Sequence, residues 1–122
     1  MKEEAKYKDY FVFNKALELI NKSRYILIVT HINPDADTIS SALALSNYFK
    51  ENKVKHTIFN KMITLPSNLD FLDNFHKINN QLPKFYDLII SVDCANLKRV
   101  GIKLDSNVDI LNIDHHQSND NF

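Results

Sequence analysis

Carboxylates and imidazoles gather at three points of this chain: Thr30-His31-Ile32-Asn33-Pro34-Asp35-Ala36-Asp37, then Asp93, then Asp114-His115-His116. Each point directly follows a short apolar run. Taken singly, these residues have ordinary explanations. Asp35 suits a turn after proline, Asp37 a helix cap and Asp93 the start of a loop, and a His-His pair says little. Their joint placement says more. If the three runs are neighbouring strands, these side chains converge on one crevice, where clustered carboxylates repel one another and are costly to desolvate. Divalent cations resolve that conflict. Mixed carboxylate and imidazole ligation suits Mn²⁺ or a similar borderline ion better than Ca²⁺, with Mg²⁺ as an alternative.

The elements that must position these residues can be read from the hydrophobic pattern. Apolar residues at helical spacing (Phe13, Ala16, Leu17, Ile20) predict a helix over about Tyr7 to Asn21, packed on a sheet. Tyr25 to Val29 is a continuous apolar run, as in a strand buried on both faces. Asn33-Pro34-Asp35 breaks it, and a second helix follows through Ile39, Ala42, Leu43, Leu45, Ser46 and Phe49, with Asp37 or Thr38 as its cap. Val54 to Phe59 reads as a strand and Ser67 to Phe75 as a short helix, with Leu69, Leu72 and Phe75 at three-residue steps. Leu88 to Val92 and Val108 to Ile113 complete the strands. Alternating strands and helices predict an α/β fold, a parallel doubly wound sheet with helices on both faces. In such sheets ligands sit beyond the carboxyl ends of the strands.

Composition narrows the chemistry further. The 122 residues allow one domain, and 15 basic residues balance 15 acidic ones, which argues against a broad basic surface gripping long nucleic acid. A small phosphate-bearing substrate held through metals stays compatible with that balance. Gly101 is the only glycine, so P-loop and dinucleotide-fingerprint loops are excluded. Cys94 is the only cysteine, which rules out an internal disulfide and a cysteine-based zinc site. No signal-peptide pattern or membrane-length apolar run is visible, and the expected location is the cytoplasm.

The three motifs together resemble those of the DHH phosphoesterases. His31-Ile-Asn-Pro-Asp-Ala-Asp-Thr-Ile-Ser-Ser is similar to the first motif, and Val92-Asp93 with Arg99-Val100-Gly101 to the second. Ile113-Asp114-His115-His116-Gln117-Ser118-Asn119-Asp120-Asn121-Phe122 resembles the motif that names the family. The likeness runs from about Ser23 to Phe122, and its form is closest to the branch of bifunctional oligoribonucleases and pAp phosphatases. It implies that His31, Asp35 and Asp93 hold one metal, and that Asp37, Asp93 and His115 hold the other, with Asp93 bridging. It further implies that His116 faces the substrate phosphate and that Asp114 orients the histidines. The implied activity is metal-dependent hydrolysis of short oligonucleotides or pAp-like nucleotide phosphates by a water activated between two metals. Ser41, Asn119 and Arg99 are candidates for substrate contact. A helix-start hydroxyl and a turn amide are equally ordinary readings of the first two, and a solvated basic turn with Lys98 and Lys103 is the favoured reading of Arg99.

Departures from the family pattern carry expectations too. Ala36 and Ser40 stand where relatives often have glycine, and both are small. Relatives carry a further metal-binding aspartate downstream and a second, glycine-rich substrate domain. Residues 1–122 are thus expected to form a partial DHH domain whose second metal is one protein ligand short. A homodimer, or a complementary chain supplying the missing part, would cover the open sheet edge. The competing expectation is a shortened or split fragment that binds metal or nucleotide but needs that partner for activity. His56 and His76 are expected at the surface, and Cys94 as a small buried side chain.

Overall fold

The structure is a computed structural model that describes residues 2–62 and 65–114, with side chains from residue 11 onward. Its centre is a four-stranded, wholly parallel sheet in the order β2-β1-β3-β4. The strands are β1 (Ile26–Val29), β2 (His56–Phe59), β3 (Leu88–Val92) and β4 (Asp109–Ile113). β1 and β3 are buried along their whole lengths, which is why β1 reads as an unbroken apolar run and β3 as one interrupted only by Ser91. β2 and β4 flank them and are only partly covered.

Alternate residues divide the core between the two faces. Ile26, Ile28, Leu88, Ile90 and Val92 pack with Ile39, Ala42, Leu43 and Phe49 of α2 (Ala36–Glu51). Leu27, Val29 and Ile89 face the other way, onto Cys94, Val100 and the partly buried Leu97, Ile102 and Leu104. Among the described residues, the α-helices cover the first face, and a 3₁₀ turn at Leu97–Val100 with irregular chain covers the second. Opposite faces are expected here. The β1–β2 and β3–β4 crossovers run in opposite directions from the sheet centre, and crossovers share one hand.

Local departures from the expected elements have physical causes. α1 (Lys2–Lys22) starts earlier than the apolar pattern indicated, and among its described side chains Leu19 and Ile20 pack against the core. Phe13, assigned above to the packed stripe, is 61% exposed. A 21-residue helix is about 31 Å long and a four-residue strand about 13 Å, so α1 cannot lie on the sheet throughout. The expected helix at Ser67 to Phe75 is instead two 3₁₀ turns, Ser67–Leu69 and Phe75–Lys77. Leu72 N–H donates to the Leu69 carbonyl at 3.1 Å and Phe75 N–H to that of Leu72 at 3.2 Å. The three-residue spacing of these apolar residues is the period of a 3₁₀ helix, not of an α-helix.

His76 is exposed as expected, whereas His56 is partly buried and held by its neighbours. Its Nδ1 lies 2.9 Å from the Val54 carbonyl and its Nε2 2.7 Å from the Ser46 hydroxyl, and its ring meets Phe49 edge-on. Cys94 is fully buried, with its thiol donating to the Asn96 carbonyl.

At the amino ends of the strands Asp87 sets the alignment of β1 and β3. Its carboxylate accepts the Arg24 N–H at 2.8 Å and the Tyr25 N–H at 3.0 Å, while its own N–H donates to the Tyr25 carbonyl. Burial alone would raise its pKa, but these backbone donors outweigh burial and hold the carboxyl below the usual carboxylate value.

Candidate metal centre

The strand register places the chemical residues. Val29 pairs with Ser91, and Val92 pairs with Ile113. Continued past the strand ends, those offsets set His31 beside Asp93 and Asp93 beside Asp114. The row lies between β1 and β3, where the chain leaves the sheet in opposite directions. That is the switch point at which parallel sheets open a crevice.

Asp35, rather than Asp37 or Thr38, is the N-cap of α2. Its extended backbone lets its Oδ1 accept the Thr38 N–H at 2.9 Å. That bond lowers the Asp35 pKa most; the Thr38 hydroxyl and the nearby His31 lower it further against the opposing effect of burial. Asp93 ends β3 with φ 51°, in the left-handed region that aspartate tolerates better than most residues. Its N–H donates to the Ile113 carbonyl at 2.9 Å, which anchors the turn to β4. Strain of this kind persists where surrounding structure enforces it, often at functional sites.

His31, Asp35 and Asp93 each offer a ligand atom, all within 4.8 Å of one another. His31 is 4% exposed and Asp93 6%, so two of the three are withdrawn from water. His31 Nδ1 lies 2.7 Å from the Ile32 carbonyl, which can only accept. In the neutral ring that contact puts the proton on Nδ1 and leaves the Nε2 lone pair facing the cluster, the form in which imidazole ligates a metal. At the centre is the hydroxyl of Thr38: 2.8 Å from His31 Nε2, 2.9 Å from Asp35 Oδ1 and 2.9 Å from Asp93 Oδ2. Two carboxylates and an imidazole lone pair gathered this closely repel one another, and such a donor set suits a cation.

A hollow of about 220 Å³ adjoins the cluster, lined by Asp37, Ser41, Val92, Asp93, Ile113 and Asp114. Asp93 therefore belongs to both the three-residue group and this hollow. Arg99 is exposed and does not line it; its carbonyl accepts the Ile32 N–H at 2.6 Å. His115, His116 and Asn119 lie outside the described residues.

Three supporting residues escaped the reading of the sequence. Thr38 was weighed only as a cap. Asn60 is fully buried and donates from Nδ2 to both Thr30 Oγ1 and the His31 carbonyl, each at 2.8 Å. Thr30, also fully buried, donates from Oγ1 to the Phe59 carbonyl at 2.7 Å, so the chain before His31 is tied to β2. Asn60 follows an apolar run directly, just as Asp93 and Asp114 do, and that signal could have marked it.

The fold and the cluster define a parallel α/β domain with a carboxylate–imidazole centre at its switch point. A family model, the DHH family N-terminal domain, matches residues 25–122, and the chain belongs to that family. It is 31% identical over 116 residues to the uncharacterized protein MJ1633 of Methanocaldococcus jannaschii, covering 81% of this chain and 21% of that protein. The crystal structure of an exopolyphosphatase-related protein from Bacteroides fragilis superposes with a TM-score of 0.79 at 21% identity, covering 91% of this chain and 36% of that one. The chain thus spans about a fifth and about a third of the lengths of these two proteins. No helix among the described residues is long and apolar enough to cross a membrane.

Proposed function

We propose that this chain carries the metal centre of a divalent-metal-dependent phosphoesterase acting on short oligonucleotides or nucleotide phosphates of the pAp type. The observation that carries this reading is the gathering of His31, Asp35 and Asp93 around a single hydroxyl proton at the switch point of a DHH-family fold. His31, Asp35 and Asp93 would hold one ion. Asp37 and His115 would hold a second, with Asp93 shared, and Mn²⁺ is the ion that best suits this donor set. Bound there, divalent ions polarise a phosphoryl oxygen and lower the pKa of a bound water. The protein's own part is positional. Asp93, fixed by its bond to Ile113, offers a carboxylate to both sides of the centre. Asp114 would orient the adjoining histidines, and His116 would meet the substrate phosphate. Ser41, on the wall of the hollow, would touch a bound substrate, and Asn119 and Arg99 are further candidates.

The test is release of phosphate or mononucleotide from short oligoribonucleotides, pAp and bis-p-nitrophenyl phosphate, with inorganic polyphosphate added because of the exopolyphosphatase-related neighbour. Mn²⁺-stimulated turnover that Asp93→Ala abolishes is the expected result. No metal-dependent turnover on any of these would end the enzymatic reading for this chain alone. Retained Mn²⁺ binding without turnover, restored by a complementary polypeptide or by homodimerisation, would favour the reading in which a partner completes the site.

A further inference from the structure

The geometry points to Thr38 as the residue that sets the spacing of the metal ligands, a role that rests on the metal-site reading above. Thr38 is fully buried in the first turn of α2, where helix geometry fixes its backbone. It grips Asp35 twice, through its N–H and its hydroxyl, and both bonds end on Oδ1. The same hydroxyl reaches Asp93 Oδ2, 55 residues away in sequence, and His31 Nε2. It is therefore the atom that ties α2, the end of β1 and the end of β3 together at the site. Two carboxylates and a lone-pair nitrogen repel one another, and the hydroxyl that meets all three opposes that repulsion. Held in advance, they need not be gathered when an ion binds, and that preorganisation raises affinity. Thr38 acts through the ligands and is a positioning residue, not a ligand.

Three variants of the full chain separate this role from simple packing. Thr38→Val keeps the shape and removes the hydroxyl, Thr38→Ser keeps the hydroxyl and removes the methyl, and Thr38→Ala removes both. Calorimetric titration with Mn²⁺ should show affinity lowered about 10–100-fold in Thr38→Val and Thr38→Ala, the usual cost of losing an outer partner of metal ligands. Thr38→Ser should stay within about threefold, as expected where the hydroxyl alone sets the spacing. The rise in thermal midpoint on adding Mn²⁺ should follow the same order. If Thr38→Val fails to fold, the Ser and Ala pair decides the matter alone. Equal affinity in hydroxyl-bearing and hydroxyl-free variants would overturn the assignment while leaving the metal centre standing. An unsubstituted chain that binds no Mn²⁺ would remove both.

Discussion

His31 and His56 are held in nearly the same way. Each ring has Nδ1 against a backbone carbonyl, of Ile32 and Val54 respectively, and Nε2 against a hydroxyl, of Thr38 and Ser46. The difference lies one bond further out. The Ser46 hydroxyl has a single acceptor to serve, and the His56 ring rests on Phe49 beside a cleft lined by Lys50, Lys53, Lys55 and Lys77. That arrangement is saturated and asks for no cation. The Thr38 hydroxyl has three acceptors, two of them carboxylates. A histidine's immediate partners thus do not distinguish the two settings; the carboxylates beyond the hydroxyl do, and they are what makes the His31 group able to hold a metal ion.

The largest effect expected from this contrast comes from exchanging the two histidines' fates. His31→Ala should weaken Mn²⁺ binding at least about 100-fold, as a lost ligand does, when measured by calorimetric titration. His56→Ala should leave that affinity within about twofold but lower stability by about 1–3 kcal/mol in urea unfolding, because Ser46 loses its partner and Phe49 its contact. The reverse pattern would dissolve the comparison.

Gly101→Ala should act more gently, on the His31 side alone. Gly101 has φ 88°, and an added Cβ would lie 2.9 Å from both Ile32 Cγ2 and Lys61 Cδ. The left-handed backbone costs an alanine about 1–2 kcal/mol, visible in the unfolding midpoint. Ile32 also bears the carbonyl that fixes the His31 ring, so Mn²⁺ affinity should fall as well. A stable variant with unchanged affinity would show that Ile32 does not transmit the shift.

The smallest effect belongs to the opposite end of the sheet. Folding lowers the Asp87 pKa, so the folded chain binds fewer protons there than the unfolded one. Its contribution is whole above the unfolded value of about 4 and is lost as pH falls through the lower folded value. Asp87→Asn should flatten the acid limb of a stability–pH curve below about pH 4. A curve of unchanged slope would deny Asp87 that role.

Much of the frame was legible in the residues themselves. Apolar runs located β1 and β3, the second broken only by Ser91, because strands buried on both faces have no polar side to show. The residues directly after those runs, His31 and Asp93, stood out as candidates because polar groups there break an apolar pattern at the strand ends. The cap of α2 was misplaced because Asp35, Asp37 and Thr38 all suit that role by type, and only backbone conformation chooses among them. The partial burial of His56 is not legible in the sequence because its partners, Ser46 and Phe49, sit on a helix that meets β2 only after folding.

Sequence alone therefore determined the parallel α/β class, the order of its strands along the chain and the supply of carboxylate and imidazole groups at their ends. Tertiary structure decided which of those groups meet. Strand register, braced by Asp87, sets His31, Asp93 and Asp114 in one row, and the Asp35 cap swings Thr38 in among the ligands. Register and the meeting of Thr38 with Asp93 depend on contacts between residues some sixty positions apart, and no local pattern of residue types encodes those distances.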